Sequence, residues 1–360
     1  MKVFVTGGAG FIGSNFIHYL LAARKDWRVV NYDKLTYAGN LANLSAAATN
    51  PRYSFVRGDI CDPAAVTGAM QGCQAVVHFA AESHVDRSIY EPAPVIQTNL
   101  TGTFHLLQAA RELKVERFLH ISTDEVYGDL PSGATASETF PLAPSSPYSA
   151  SKAGSDLLVL SFVRTYGFPA VITRSSNNYG PYQFPEKFLP LMITNALADK
   201  PLPIYGDGGQ QRNWLHVEDN CRAVLAALEH GHPGAVYNIG GPDIEDNLTM
   251  ARLLLRLLGK PETLLQHVAD RPGHDRRYAV DSSKITAETG WHPQVALDHG
   301  LEQTVAWYRD NSDWLAEVRD GRYQRYYEKY YEHRDASLGA IVDRPDRAAV
   351  EPGTVEARKP

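Results

Sequence analysis

The feature that most constrains this chain is a glycine-rich turn set between a strand pattern and a helix pattern. Lys2–Thr6 reads as a buried β-strand, Gly7-Gly8-Ala9-Gly10-Phe11-Ile12-Gly13 as the turn, and Phe11–Lys25 has helical periodicity. Glycines 7, 10 and 13 form G-x-x-G-x-x-G, one residue longer in its first gap than the G-x-G-x-x-G of dinucleotide-binding βαβ units. The physical demand is similar: a tight turn, no Cβ where a pyrophosphate approaches, and close helix–strand contact. The helix start, at Phe11 and Ile12, then offers free N–H groups and a positive dipole end to phosphates. Asp33 stands twenty residues after Gly13 at the end of the second strand, where a carboxylate can bond a ribose 2′-hydroxyl. That acid favours NAD over NADP, with Lys34 as the neighbouring charge. Asp59, after the third strand in Gly58-Asp59-Ile60, is placed to meet an adenine.

The pattern continues as alternating short apolar runs and helical stretches, the signature of βαβ units and a parallel sheet. Expected strands are Lys2–Thr6, Arg28–Tyr32, Tyr53–Arg57, Ala75–Phe79, Arg117–Ser122 and Ala170–Arg174, several of them almost wholly apolar, as strands buried on both faces are. Thr103–Leu113 and Leu248–Leu258 read as helices and Ala235–Gly240 as a further strand. The fold class is therefore α/β: a Rossmann-type doubly wound parallel sheet with a smaller, discontinuous α/β domain. Residues 1–178, with 206–240 returning, form the nucleotide-binding part; 179–205 and 241–332 form the substrate part, with the cleft where the two meet. Gly300–Glu332 reads as helical, its Tyr323, Tyr326, Tyr327, Tyr330 and Tyr331 as packing rings. Residues 337–360, polar and proline-containing, read as a flexible tail.

Composition narrows the function classes. Charged residues make up 21% and the net charge is −6, so there is no general field for nucleic acid, although a local cluster of arginines can still hold phosphate. Cys61, Cys73 and Cys221 are scattered, which predicts neither a disulfide framework nor a zinc site. His78 and His84 have no accompanying ligand pattern and read as structural or cleft-lining; no metal is expected. No apolar run approaches the roughly 18 residues that span a bilayer. The start of the chain runs straight into the first strand without a signal-peptide pattern, so a cytoplasmic protein is expected.

Tyr148-Ser149-Ala150-Ser151-Lys152 supplies the chemistry. Four residues apart on a helix, the Tyr148 hydroxyl and Lys152 ammonium share a face. An ammonium there is expected to lower the phenol's pKa and make Tyr148 a base for a sugar hydroxyl. The strand Arg117–Ser122 leads into Thr123-Asp124-Glu125, two acids beside a threonine at the carboxyl end of a central strand. Elimination of water needs two proton-transfer groups, one to remove a carbon-bound proton and one to protonate the departing hydroxyl; hydride exchange alone does not. For an anionic sugar nucleotide, Lys187, Arg212 and Arg271 are diphosphate candidates. Asn177, Glu186 and Asn247 are candidates for sugar or diphosphate contacts, and Tyr205 and His274 for the outer pocket.

Gly7, Gly10, Gly13, Tyr148 and Lys152 together make about the first 320 residues resemble the extended short-chain dehydrogenase/reductase family. The Thr123-Asp124-Glu125 run narrows this to its nucleoside-diphosphoglucose 4,6-dehydratases. Further segments look alike: Asp33–Asn40, His78–Ser88, Asn177–Lys187, Arg212–Val217 and Asp270–Tyr278. The resemblance implies NAD as cofactor, held also by Thr36, Ile60, Ala80, Ala81, Tyr148, Lys152 and Asn177. It implies dTDP-glucose as substrate, met by Ser83, His84, Thr123, Asn178, Leu189, Pro190 and Pro203 besides the residues above. It also implies roles: Tyr148 takes the 4-OH proton as C4 hydride passes to NAD⁺, Glu125 removes the C5 proton, Asp124 protonates the departing 6-OH, and hydride returns to C6. A homodimer through the helices around Val95–Leu113 and Tyr148–Tyr166 is the family expectation. The rivals are a UDP-sugar 4-epimerase or decarboxylase on the same frame, and a non-catalytic NAD-binding sensor.

Overall fold

The computed structural model describes residues 1–319. Twelve strands occur in it: β1 Lys2–Thr6, β2 Arg28–Asp33, β3 Tyr53–Arg57, β4 Ala75–His78, β5 Arg117–Thr123, β6 Ala170–Ser175, β7 Asn177–Tyr179, β8 Leu202–Tyr205, β9 Gln211–His216, β10 Val236–Ile239, β11 Asp243–Asp246 and β12 Leu265–Val268. Seven form one sheet in the order β10-β6-β5-β4-β1-β2-β3, every pairing parallel. Parallel strands need a crossover between them, and the helices supply it on both faces. Each strand therefore alternates between two apolar layers. On β1, Val3 and Val5 join a core with Phe16, Ile17, Leu20 and Val224, whereas Phe4 joins Met70, Leu106, Leu107 and Val159 on the opposite face. This double burial is what the almost wholly apolar strands predict.

The order of strands reverses between β1 and β4, because β2 and β3 continue to one side of β1 and β4 begins the other. A crevice opens outside the carboxyl ends of the strands at such a point. Two smaller sheets lie beyond it: β11-β9-β7, and the parallel pair β12-β8. The strand over residues 236–239 belongs to the main sheet, the edge partner of β6.

Helices follow local chemistry. Pro147–Tyr166 starts from Ser146, whose hydroxyl accepts from the Ser149 amide (3.1 Å) while Ser149 returns a bond to the Ser146 amide (3.0 Å), with proline at the first position; Gly167, left-handed at φ 63°, ends it. The helix Pro92–Ile96 passes through a π-turn at Gln97–Gly102 into Thr103–Glu112. The helical expectation over 300–332 is met as two helices, Leu297–Asp310 and Ser312–Val318, interrupted at Asn311. Its remainder, the five tyrosines and the 337–360 tail lie outside the described residues. Among the described residues the three cysteines are free, and no helix is long and apolar enough to cross a membrane.

Candidate active site

One cleft collects the carboxyl ends of β1–β6. All fifteen residues expected to touch a dinucleotide line it: Gly7, Gly10, Phe11, Ile12, Gly13, Asp33, Lys34, Thr36, Asp59, Ile60, Ala80, Ala81, Tyr148, Lys152 and Asn177. Gly7 has φ +71°, and a Cβ there would sit 2.5 Å from the Ala80 amide nitrogen; a Cβ on Gly13 would meet the Gly7 carbonyl at 2.3 Å. The turn thus packs against β1 and the end of β4 only as glycine. The helix Phe11–Ala23 that follows has no side-chain cap, so its first N–H groups face the cleft without an internal partner. Asp33 is held upright, its two oxygens accepting from the amides of Ala9 (2.9 Å) and Leu35 (2.8 Å). Lys34 is paired with Asp59 at 2.7 Å, which spends its charge locally instead of leaving it for a 2′-phosphate. An uncapped helix start, a cradle that excludes Cβ and a buried ribose-side carboxylate fit a non-phosphorylated dinucleotide.

The reactive groups sit at the inner end of the same cleft, where Thr123, Asp124, Glu125, Tyr148 and Lys152 come together. β5 ends at Thr123, whose hydroxyl accepts from the Glu125 amide (3.2 Å) and so starts the short 3-10 turn Asp124–Tyr127 that carries both acids. The same hydroxyl donates to Asp124 Oδ1 at 3.1 Å, and Asp124 Oδ2, buried, has no hydrogen-bond partner among the described residues. Burial, then the neighbouring Glu125, pushes the Asp124 carboxyl up to about 7. Glu125 is also raised by burial, but Arg271, Lys187 and Arg212 pull it back down. The two acids are thereby made different: one is poised to carry a proton near neutrality and the other is faced by three cations.

Tyr148 departs from expectation. Spacing alone predicts that Lys152 lowers the phenol's pKa; in the structure the hydroxyl is held well above its usual range, first by burial and then by Glu125 and Asp124, with a Thr123 hydrogen bond as the opposing influence. Lys152 donates to the Ile121 carbonyl oxygen at 2.6 Å, and burial lowers it to about 8. Burial is the main reason, and the acid pair adds to it.

Among the residues expected to meet a sugar nucleotide, Ser83, Thr123, Asn178, Glu186 and Lys187 line the cleft. Lys187 donates to the Ser83 carbonyl oxygen (2.6 Å), and Glu186 accepts from the Tyr37 hydroxyl (2.9 Å) and pairs with Arg87 (3.4 Å). The others lie outside that lining. Arg271 is buried against Asp86 (2.6 Å), whose second oxygen accepts from the Tyr205 hydroxyl (3.0 Å). Arg212, buried, donates to the Asp275 carbonyl oxygen (2.9 Å) and lies over the Tyr278 ring, though its charge reaches both acids. His274 pairs with Asp270 (2.6 Å), and Asn247 Oδ1 is buried without a hydrogen-bond partner among the described residues. Leu189 and Pro190 are buried in the helix Phe188–Leu197, and Pro203 is on β8. His84 caps the helix Val85–Tyr90, and His78 bridges Thr6 and Thr103 (2.8 and 2.9 Å) inside the core, so neither lines the cleft. The cleft also holds Glu82, Gln183 and Phe184, which fall within the matched segments His78–Ser88 and Asn177–Lys187 without a role assigned, and Thr98, which no motif singled out.

The family model described as GDP-mannose 4,6 dehydratase matches residues 4–304. The chain belongs to that family. Its relatives include the dTDP-glucose 4,6-dehydratases of Shigella flexneri (50% identical; 93% of this chain, 100% of the relative) and Neisseria meningitidis serogroup B (51%; 90% and 97%). Among solved structures, DesIV, a dTDP-glucose 4,6-dehydratase from Streptomyces venezuelae with NAD bound, is 49% identical with a TM-score of 0.87, covering 88% of this chain and 100% of its own. A UDP-glucose 4-epimerase from Thermus thermophilus, also with NAD, is 32% identical with a TM-score of 0.80, covering 86% and 100%. Members of the GDP-mannose 4,6 dehydratase family thus share this frame, and the dTDP-glucose enzymes are the more similar by sequence.

Proposed function

We propose that this chain is an NAD-dependent dTDP-glucose 4,6-dehydratase, converting dTDP-glucose to dTDP-4-keto-6-deoxyglucose. The observation that carries this is the pair of buried Asp124 and half-buried Glu125 beside Tyr148, in the cleft that carries the glycine turn. Gly7, Gly10, Gly13, Asp33, Tyr148 and Lys152 hold the dinucleotide. When bound there, NAD would supply a reversible hydride acceptor, for oxidation at C4 and for return of the hydride to C6. Tyr148 takes the 4-OH proton with Thr123 on the same oxygen, and Lys152 holds the ribose. Glu125 removes the C5 proton, acidified by the new 4-keto group, and Asp124 protonates the departing 6-OH. The proton count closes when Glu125 returns its proton to C5 as hydride reaches C6: the proton Tyr148 takes from the 4-oxygen then equals the one Asp124 gives to the departing water, and Thr123 bonds both groups. Lys187, Arg212 and Arg271 hold the diphosphate.

An epimerase on the same frame has no task for two acids, and the epimerase neighbours are about 30% identical against about 50% for the dehydratases. Incubation with dTDP-glucose is expected to give a product lighter by one water that carries a 4-keto group; an unchanged mass rules the assignment out. UDP- and GDP-glucose, offered in parallel, are expected to be poorer substrates.

The remaining expectations are proposals of the same reading. Residues 1–178 with 206–240 serve the cofactor, 179–205 and 241–332 the sugar nucleotide. The free thiols suit a reducing compartment, the cytoplasm. The protein is a homodimer: Ile96, Phe104, Leu157 and Tyr166, exposed by 41, 36, 59 and 54%, lie on the helices over 92–112 and 147–166, and exposed apolar groups on neighbouring helices suit a covering partner. Leu157→Glu is expected to shift the protein from dimer to monomer in sedimentation; a parent that sediments as a monomer removes the proposal.

A further inference from the structure

A chain of buried hydrogen bonds joins the last described helix to the dinucleotide turn. Trp314, on the helix Ser312–Val318, donates its indole N–H to Asn43 Oδ1 at 2.7 Å across 271 residues of sequence. The Asn43 amide nitrogen donates onward to the Ala9 carbonyl oxygen at 2.9 Å. The Asn40 amide donates to that same oxygen at 3.0 Å, and the Ala9 amide donates to Asp33 at 2.9 Å. Ala9, fully buried, is the residue between Gly8 and Gly10 in the turn. Its carbonyl belongs to the peptide plane that enters the uncapped helix start, so fixing that oxygen fixes the Gly10 N–H of the same plane, which donates to the Gly7 carbonyl oxygen at 3.2 Å and so closes the turn.

Asn43 is 2% exposed and uses both ends of its side chain. Its backbone carbonyl is bonded by His18 Nε2 at 2.7 Å, and the His18 ring stacks on Tyr182. Tyr182 in turn packs edge-on against Trp307 (4.8 Å between centroids), and Trp307 against Trp314 (4.9 Å). The indole is thus wedged on one side and bonded on the other. None of Trp314, Trp307 or Asn43 lines the cleft.

We propose that Trp314 and Asn43 form a clamp through which the helix Ser312–Val318 holds the dinucleotide turn in its binding conformation, making these two positioning residues for NAD. The proposal rests on the reading of the cleft as an NAD site. An unclamped turn samples other orientations of the Ala9–Gly10 peptide, and affinity falls by the fraction of time the competent one is lost.

The test uses the full chain stripped of cofactor, with NAD affinity measured by calorimetry and thermal stability measured alongside. Trp314→Phe keeps an aromatic ring but removes the donor, leaving Asn43 Oδ1 buried and unpaired; the NAD Kd is expected to rise about tenfold. Asn43→Leu, which removes both bonds at similar volume, is expected to do at least as much. Trp291→Phe is the matched control: its indole N–H is also buried, bonded to the Asp219 carbonyl oxygen at 3.0 Å. It is expected to lower the melting temperature without changing the NAD Kd. Parental Kd in both clamp variants, or an equal rise in Trp291→Phe, overturns the clamp. Failure of the parent to bind NAD instead overturns the reading on which it rests.

Discussion

Tyr148→Phe is expected to lower kcat about a thousandfold and to prevent reduced cofactor from forming when dTDP-glucose is added. The ring is buried and anchored through its backbone to Ser88 (3.2 Å), so phenylalanine fills the same space and the change is confined to one hydroxyl. Because burial and both acids raise the hydroxyl above its usual range, Tyr148 is a poor base in the protein by itself. Two things offset this on binding: the cationic ring of NAD⁺, and protonation of Asp124, which removes one of the opposing charges. Asp124→Asn is therefore expected to move the Tyr148 titration in the loaded protein downward. The measurement is the near-ultraviolet absorbance of reduced cofactor after rapid mixing, with the ultraviolet difference spectrum of the phenolate followed against pH. A Phe variant that reduces cofactor at the parental rate removes Tyr148 as base.

The sheet and the cofactor half of the cleft were legible in the sequence for a physical reason. A strand buried on both faces has to be apolar at every position, and a turn against a pyrophosphate has to lack Cβ, so both leave marks within a few residues. Asp33, Asp59 and Thr123 stand at strand ends, which the apolar runs delimit directly. Thr98 was not legible, because it lies in the π-turn at Gln97–Gly102, where helical spacing is broken by an extra residue. The direction of the Tyr148 shift was equally hidden. Spacing places Lys152 one turn away, but the direction is set first by burial and then by Glu125 and Asp124, and both arise only through the fold. The same holds for Arg271 against Asp86 and Trp314 against Asn43, separated by 185 and 271 residues. Local pattern carries the elements and the reactive groups; what neutralises or positions those groups is tertiary.

The second large effect concerns the acid pair. Asp124→Asn is expected to lower dehydration by two to four orders of magnitude, in the range of ~10²–10⁴ for loss of one positioned acid, while C4 oxidation continues and reduced cofactor accumulates. Glu125→Gln is expected to block the later step as well, but with a different signature: the substrate's C5 proton no longer exchanges with deuterated solvent. The pH dependence separates the two. A general acid acts when protonated, and the Asp124 carboxyl is pushed up to about 7, so dehydration by the parent is expected to fall above that pH by about tenfold per unit. In Asp124→Asn that limb disappears. Stability moves the other way. The folded pKa is raised from 3.8 to about 7, so the unfolded chain ionises first and stability is lost as pH rises through that window. The neutral amide cannot ionise, and Asp124→Asn is expected to melt higher than the parent at pH 7 and above. A variant that is slower, more stable and free of the alkaline limb places the proton on Asp124; one that keeps the limb places it elsewhere, with Glu125 the next group to replace.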